Sequence, residues 1–328
     1  MIRTFRLRLR DAVRSRPWLP GAAFACTLAV FVAAVGSGAS KVLTLFAVVG
    51  CLGCAFIWGY STHLIREWPR LRQLRRSQYS AVWDSLSPTP EIAASAAAGI
   101  SCELSLQSSG KKVADRIARF ISLKPSDDVL EVGCGVGRVG WAIAPRCRSW
   151  IGCDISENML SHARKRLAAL SNVRLTHLDH ANLSGISDMA VDVVYCTNVL
   201  PHLDQMERWQ YVLEAHRVLR PSGRLYIETI ALDSPEGWHM LSNNLEQRRN
   251  GLEAPYIPIP STADELIAYF RNAGLEAIRT EQRDSLLMVA GVKNPSDDTS
   301  RSANQKLREP NDPVDNNRRV VNNLLTMT

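Results

Sequence analysis

Three glycines stand at every second position directly behind a short apolar run, in the stretch VLEVGCGVGR at residues 129–138. Glycine is needed where a Cβ would block the approach of a ligand to the backbone, or where a turn requires a positive φ. In open α/β sheets, ligands bind at such turns between a strand and the next helix. Gly133, Gly135 and Gly137 are therefore candidate ligand-contacting residues, and the alternative is a tight turn that binds nothing.

Two acidic residues follow at the ends of the next two strand-like runs. Asp154 lies 21 residues after Gly133, about where a carboxylate must stand to bind both hydroxyls of a ribose. Asp179 ends the run after that. Acids at successive strand ends beside a glycine-rich turn predict a nucleoside pocket.

The spacing of the glycines narrows the choice of nucleoside. The pyrophosphate fingerprint GxGxxG is not cleanly present, because Gly137 comes one position early, and no GxxxxGK[ST] phosphate loop occurs. Glu131, beside the turn, would repel a phosphate but suits a cation. These residues favour a nucleoside that carries a positive sulfonium and an amino group.

Strand-like apolar runs alternate with segments of helical periodicity in this part of the chain. We predict strands at 129–132, 149–153, 173–178, 191–196 and 224–229, and helices at 136–144, 159–169, 206–219 and 262–273. This alternation predicts right-handed crossovers and an α/β, doubly wound, mostly parallel sheet. Two further strands, at 277–283 and 285–292, are separated only by Asp284. Such a short connection requires them to be antiparallel.

Together these stretches resemble the class I S-adenosylmethionine-dependent methyltransferases of the small-molecule type, over about residues 106–294. The glycine stretch resembles the first motif of that family, IGCDISENML at 151–160 the second, and LRPSGRL at 219–225 the approach to strand five. The resemblance implies a seven-stranded, Rossmann-like sheet with the last strand antiparallel. It also implies S-adenosylmethionine as the cofactor.

The same resemblance assigns roles in cofactor binding. The three glycines would line the methionine portion, with Glu131 supporting their turn and Asp154 holding the ribose. Ile155 would pack against the adenine, and Asp179 would reach the adenine amino group. Asn198, which follows the fourth strand, would border the cofactor.

The acceptor side is less clearly marked. Methyl transfer from a sulfonium needs a base only when the acceptor is an alcohol, a phenol or an acidic carbon. His202 is a candidate base, but a histidine here is more often structural in the resembling family, so no catalytic residue is assigned. Residues 233–261 contain four prolines, Trp238 and Tyr256. They are predicted to form either a lid over the acceptor or a surface segment without that role.

The basic residues of the chain cluster in two short segments. The formal net charge is +7, but residues 1–17 carry +5 and residues 61–80 carry +4, so the remainder sums to −2. Between these segments, residues 18–35 and 42–60 contain no charge. Each run is close to the roughly 20 residues that cross a bilayer as a helix.

This charge pattern predicts a two-pass membrane anchor, with spans at about 18–36 and 42–60. Arg-rich flanks outside a short loop place both termini and the catalytic domain in the cytoplasm. The alternatives are a signal peptide and a buried helical hairpin. The only tight cysteine pair, Cys51 and Cys54, lies inside the second apolar run, so no metal site is predicted.

Domain boundaries follow from these patterns. Residues 1–62 form the predicted transmembrane hairpin, 63–105 a juxtamembrane connector and 106–294 the methyltransferase domain. Residues 295–328 lack aromatic residues and are predicted to be a disordered tail.

The sequence therefore predicts a membrane-anchored methyltransferase that acts on a small, possibly lipophilic or lipid-linked acceptor and contacts membrane lipids. A nucleic-acid methyltransferase is disfavoured, because the domain is close to neutral and CTNV after the fourth strand lacks an Asn/Asp-Pro-Pro-aromatic turn. No nucleic acid partner is expected. The other alternative is a catalytically silent cofactor-binding module that tethers partners to a membrane.

Overall fold

The structure is a computed structural model that describes residues 78–180, 182–251 and 255–296. Its strands, in chain order, are β1 (Asp128–Val132), β2 (Ser149–Asp154), β3 (Val173–His177), β4 (Val191–Thr197), β5 (Leu219–Ile230), β6 (Leu275–Arg283) and β7 (Leu286–Lys293). Its helices are α1 (Tyr79–Ser85), α2 (Pro90–Ala98), α3 (Glu103–Phe120), α4 (Gly140–Ile143), α5 (Glu157–Leu167), α6 (Gln205–Val218), α7 (Pro235–Arg249) and α8 (Ala263–Ala273). Short 3-10 turns cover Ala144–Arg146 and Leu200–His202.

The seven strands form one sheet in the order β3-β2-β1-β4-β5-β7-β6. Strands β1 to β5 pair in parallel, whereas β7 is antiparallel to both of its neighbours. Asp284, at the joint between β6 and β7, has a φ of 53° and allows the tight reversal. The predicted doubly wound sheet with an antiparallel last strand is confirmed.

The central strands are apolar on both faces because helices cover both faces of a parallel sheet. Leu130 and Val194 face the hydrophobic cluster that includes α6 and α8. Their neighbours Val129 and Val193 face the opposite cluster, which includes α3 and α5. This burial holds the carboxyl ends of β1, β2 and β4 at one edge of the sheet, where the glycine turn lies.

The packed body of the domain begins well before residue 106. Val82 in α1 and Ala93 in α2 are almost fully buried, and both helices lie in the segment assigned above to a connector. Helix α2 begins after Thr89, whose hydroxyl accepts the N–H of Ile92. It ends at Gly99, which adopts a left-handed conformation. Residues 79–98 are therefore part of the domain fold.

The helix expected at 136–144 is much shorter than predicted. The chain makes a turn after Gly137, whose φ is +74°, and α4 covers only Gly140–Ile143. A Cβ at Gly140 would lie 2.3 Å from the ring of Trp150, so the chain runs very close to β2 here. The prediction of a full helix was wrong because the positive φ of Gly137 lies outside the helical region, so the helix can begin only after it.

Several predicted segments fall outside the described part of the chain. These are the transmembrane hairpin at residues 1–62, the connector up to residue 77 and the tail from residue 297 onward. Within residues 78–180, 182–251 and 255–296, no helix combines the length and apolar character that a bilayer-crossing segment needs.

We expect Gly110→Ala in α3 to destabilise the domain. A Cβ at this position would lie 2.3 Å from the carbonyl oxygen of Arg138, a backbone atom that cannot rotate away. Alanine favours a helix over glycine by about 1 kcal/mol, but overpacking costs roughly 1–3 kcal/mol. The free energy of unfolding should therefore fall by about 1 kcal/mol, measured by denaturant titration. Ser108→Ala, exposed on the same helix, is the control, and an unchanged or more stable Gly110→Ala variant would contradict this packing.

Candidate functional site

A cavity opens at the carboxyl ends of β1, β2 and β4. Its volume is about 730 Å³, including the part open to solvent. The loops at the sheet edge contribute Gly133, Gly135, Asp154, Ile155, Thr197 and Asn198 to its wall. Five of the eight residues predicted to bind the cofactor line this cavity. They are Gly133, Gly135, Asp154, Ile155 and Asn198.

The glycine turn is shaped by a different constraint at each position. A Cβ at Gly133 would lie 2.1 Å from a methyl carbon of Val199, and φ there is +70°. At Gly135 the φ is +53°, and a Cβ would meet only Ala97, at 3.6 Å. Gly133 therefore keeps the β4 loop close to the turn, whereas Gly135 leaves the backbone open to the cavity.

Gly137 packs against α5. A Cβ there would lie 3.0 Å from Leu167, and Gly137 is not among the residues that line the cavity. Its contact with the methionine portion stays a prediction of the resemblance. Its lack of a side chain instead lets the turn pack against α5.

Asp154 is the acid of the cavity. Its Oδ2 accepts the backbone N–H of Gly135 at 2.7 Å, and its Oδ1 accepts that of Ser156 at 3.0 Å. Burial raises the pKa of this carboxyl, and the same two N–H groups act in the opposite direction. Because a carboxylate offers about four lone-pair positions, Asp154 keeps acceptor capacity for hydroxyl groups of a ligand.

Glu131 lies behind the turn and does not line the cavity. It is almost fully buried, and its Oε2 accepts the hydroxyl of Tyr195 at 2.5 Å. That hydroxyl in turn accepts the indole N–H of Trp150 at 3.0 Å. Burial raises the pKa of Glu131 to about 8, although the hydroxyl of Tyr195 and the charge of Arg138 oppose the shift. Its position is consistent with the predicted supporting role.

Asp179 does not enter the cavity wall. Its side chain is 89% exposed and lies 3.6 Å from Nδ1 of His177, whereas the preceding Leu178 lines the cavity. The predicted contact with an adenine amino group stays a prediction of the resemblance. Ile155, by contrast, lies in the wall as an apolar surface beside Asp154.

The loop after β4 supplies Asn198 and His202. Asn198 has a φ of 62°, an uncommon conformation that asparagine tolerates better than most residues. Nδ1 of His202 lies 2.9 Å from the carbonyl oxygen of Tyr256, and its ring meets that of Trp83 edge-on at 4.9 Å. Because a carbonyl only accepts, Nδ1 carries a proton, and the neutral ring has its lone pair at Nε2.

Residues from α1, α2, α5 and α6 also line the cavity, and this role was not predicted from the sequence. They are Tyr79, Trp83, Ala97, Met159 and Tyr211. The sequence did contain a signal for α1, since the apolar residues at 79, 82, 83 and 86 recur at helical spacing. Nothing in that spacing indicated what the helix covers.

Hydrogen bonds fix α1 in this position. Oδ1 of Asp84 accepts the hydroxyl of Ser156 at 2.6 Å and the backbone N–H of Asn158 at 3.2 Å. The hydroxyl of Tyr79 donates to Glu207 at the start of α6. Helix α1 therefore bridges the loop after β2 and the first turn of α6.

Known proteins share part of this chain. Residues 129–223 match the sequence profile of the family described as methyltransferase domain. This match covers less than half of the chain, and with the relatives described next it supports an S-adenosylmethionine-dependent methyltransferase.

Two curated relatives indicate the range of similarity. A 27-O-demethylrifamycin SV methyltransferase of Amycolatopsis mediterranei is 28% identical over 175 residues, which is 52% of this chain and 62% of the relative. A probable S-adenosylmethionine-dependent methyltransferase of Mycolicibacterium smegmatis is 38% identical over 104 residues, which is 31% of this chain and 37% of the relative. The match thus spans less than two thirds of the length of either relative.

Among solved structures, the magnesium protoporphyrin IX methyltransferase of Synechocystis PCC 6803 with bound SAH is similar at a TM-score of 0.45 and 22% identity. That similarity covers 58% of this chain. The YcgJ protein of Bacillus subtilis is similar over 56% of this chain, at a TM-score of 0.47 and 17% identity. Similarity at this level does not bear on the ligands of this chain.

The residues of the cavity fit S-adenosylmethionine. Asp154 offers a buried carboxylate to the ribose hydroxyls, and the missing Cβ of Gly135 opens the backbone to close approach. Ile155, Met159 and Leu178 offer apolar contacts to a base. None of the described residues that line the cavity is Lys or Arg, so nothing there repels a sulfonium.

We expect Asp154→Asn to weaken S-adenosylmethionine binding by about 10- to 100-fold, because hydrogen bonds to a charged group contribute roughly 1.5–3 kcal/mol each. Titration calorimetry on the full chain in detergent measures this. Glu157→Gln removes an exposed carboxylate three residues away, paired only with exposed Arg164, and serves as the control. Equal affinity of the two variants would show that Asp154 does not hold the cofactor.

Glu131 should make the stability of the domain depend on pH. An unfolded glutamate titrates near 4.5, whereas the folded one titrates at about 8, so the unfolded state ionises first. The contribution of Glu131 to the free energy of unfolding is therefore fully present below pH 4.5 and is lost as the pH rises through about 8.

The Glu131→Gln variant should lose this dependence. One pKa unit corresponds to about 1.4 kcal/mol. The wild-type free energy of unfolding should therefore fall between roughly pH 5 and pH 8 by a few kcal/mol more than that of the variant. Denaturant unfolding across that range measures it, with Glu157→Gln as the matched exposed control. Parallel pH profiles for wild type and Glu131→Gln would mean that Glu131 is not held protonated in the fold.

Proposed function

We propose that this protein transfers a methyl group from S-adenosylmethionine to a small, uncharged, lipophilic acceptor at a membrane. The observation that carries the proposal is the composition of the cavity. Its nucleoside end holds Asp154, and apart from Thr197, Asn198 and His202 the other side chains of the wall are aromatic or aliphatic. The cavity therefore offers a polar surface to S-adenosylmethionine and an apolar surface to the methyl acceptor.

The acceptor end of the cavity supports the choice of an uncharged molecule. Tyr79, Trp83, Leu203 and Tyr211 line it, and Asp154 is the single acid among the described lining residues. Burial raises the pKa of the Tyr211 phenol, so this residue stays neutral. A charged acceptor would lose its hydration without gaining a partner, which costs several kcal/mol.

The residues of the chain act mainly by positioning. S-adenosylmethionine supplies an electrophilic methyl group when it is bound. The turn at Gly133 and Gly135 and the carboxylate of Asp154 hold the nucleoside, and α1 covers the cavity through Asp84 and Tyr79. Covering the cavity excludes water, and orienting the acceptor removes much of the entropic cost of reaction.

We propose that His202 accepts a proton from an acceptor hydroxyl. It lines the cavity, and its Nδ1–H is directed at the carbonyl of Tyr256, so the lone pair of the neutral ring lies at Nε2. A base is needed only if the acceptor atom is a hydroxyl or an acidic carbon. We therefore propose that the acceptor is a phenol or an alcohol, with His202 as the base.

The membrane location rests on the sequence. The two uncharged runs at 18–35 and 42–60 and their Arg-rich flanks support a two-pass anchor with the domain at the cytoplasmic face. A lipid, a quinone-like ring and a lipid-linked sugar are acceptors that suit such a position. The similarity to a 27-O-demethylrifamycin SV methyltransferase, whose name indicates methylation at an oxygen, adds support for a hydroxyl acceptor.

Comparative lipid and metabolite profiling tests the proposal. Cells that carry Asp154→Ala should lose a species that is heavier by one methyl group in wild-type cells, and should accumulate its unmethylated precursor. Glu157→Gln cells are the control and should match wild type. If no methylated species changes although the variant protein is present, the chain is not an active methyltransferase.

His202→Gln should separate binding from chemistry. General base catalysis contributes about 10²- to 10⁴-fold, so the methylated species identified by profiling should form at least about 100-fold more slowly with the purified variant. Titration calorimetry should still give S-adenosylmethionine binding close to wild type. An unchanged rate would assign His202 to a structural role at the carbonyl of Tyr256.

A further inference from the structure

Large apolar side chains are exposed on α7 and in the segment that follows it. Trp238 is 63% exposed, Leu245 50% and Ile259 39%. Trp238 and Leu245 are seven positions apart on α7, so they lie on the same side of that helix, and Leu241 between them is partly buried. Large apolar side chains grouped at a surface indicate a binding face rather than ordinary solvent exposure.

Hydrogen bonds connect this face to the cavity. The side-chain amide of Asn244 donates to the carbonyl of Pro258 at 2.8 Å, which joins α7 to the segment that contains Ile259. The N–H of Ile259 donates to the carbonyl of Pro201 at 2.6 Å, one residue before His202. The exposed face and the wall of the cavity are thus parts of one connected rim.

The orientation of α7 is fixed by its first turn. A Cβ at Gly237 would lie 1.9 Å from the carbonyl oxygen of Ala231, so the helix lies directly against the end of β5. The hydroxyl of Ser234 accepts the N–H of Gly237 at 2.9 Å and donates to the same carbonyl at 2.7 Å. Gly237 is buried against the end of β5, whereas the next residue, Trp238, is exposed.

The chain enters the described domain at the same rim. Tyr79, the first residue of α1, lines the cavity, and it is preceded by the basic residues 61–78. That segment follows the uncharged runs at 18–35 and 42–60. If these runs cross a bilayer, a connector of fewer than twenty residues attaches the domain to the membrane beside the mouth of the cavity.

We propose that Trp238, Leu245 and Ile259 insert into the lipid bilayer and hold the mouth of the cavity against the membrane. This inference rests on the membrane attachment in the proposed function. Tryptophan and aliphatic side chains on one side of a short helix suit the membrane interface. The exposed Arg249 near the end of α7 lies where its charge can meet lipid headgroups. A lipophilic acceptor then passes from the bilayer into the cavity without entering bulk water.

Photocrosslinking of the full chain in vesicles tests this contact. We would place p-benzoylphenylalanine at position 238 or 245 and reconstitute the protein in vesicles of phosphatidylcholine and phosphatidylglycerol. Both positions are exposed, so the fold tolerates the larger ring. Ser171, exposed at the opposite edge of the sheet just before β3, is the matched control position.

Positions 238 and 245 should each form lipid adducts several-fold more often than position 171. Adducts no more frequent than at position 171, or adducts to a second protein chain instead of lipid, would overturn the inference while leaving membrane attachment in place. Failure of the full chain to float with the vesicles would remove the membrane attachment and the inference with it. Calorimetry with S-adenosylmethionine, done on the same preparation, reports separately on the cofactor site.

Discussion

The buried carboxylate of Asp154 is the interaction on which the cavity depends. Its two oxygens accept backbone N–H groups from the glycine turn after β1 and from the start of α5 after β2. The second of these, Ser156, also donates its hydroxyl to Asp84 in α1. One acid therefore links two strand ends and the helix that covers them. Because it is buried, the carboxylate is held in a single geometry before any ligand binds.

The parts of the site that could be predicted from the sequence are those fixed by local structure. A glycine turn must follow a strand, and an acid at the end of the next parallel strand must lie beside it, so Gly133, Gly135 and Asp154 were placed together correctly. The order of alternating strands and helices also led to the observed sheet. These features depend on backbone geometry that the residue types themselves require.

The remaining features depend on contacts between distant segments. Gly137 looks like its two neighbours in the sequence, but the position of Leu167 in α5 determines that it packs there. The sequence predicts a fifth strand only from residue 224, yet β5 already pairs with β4 at Leu219. The covering role of α1 depends on Ser156 and Glu207, which lie over 70 and over 120 residues further along the chain.

The distribution of charge in the cavity separates its two ends. A carboxylate suits the hydroxyls of a ribose and a nearby positive sulfonium, whereas the wall formed by Trp83, Tyr211 and Leu203 has no charged group to pair with a ligand. For the acceptor that we propose, selection at that end works through desolvation. Each apolar Å² of acceptor that leaves water contributes about 25 cal/mol, whereas an unpaired charge costs several kcal/mol. A single ionic group on the acceptor thus outweighs the burial of roughly 100 Å² of apolar surface, so under this proposal charge excludes an acceptor before shape does.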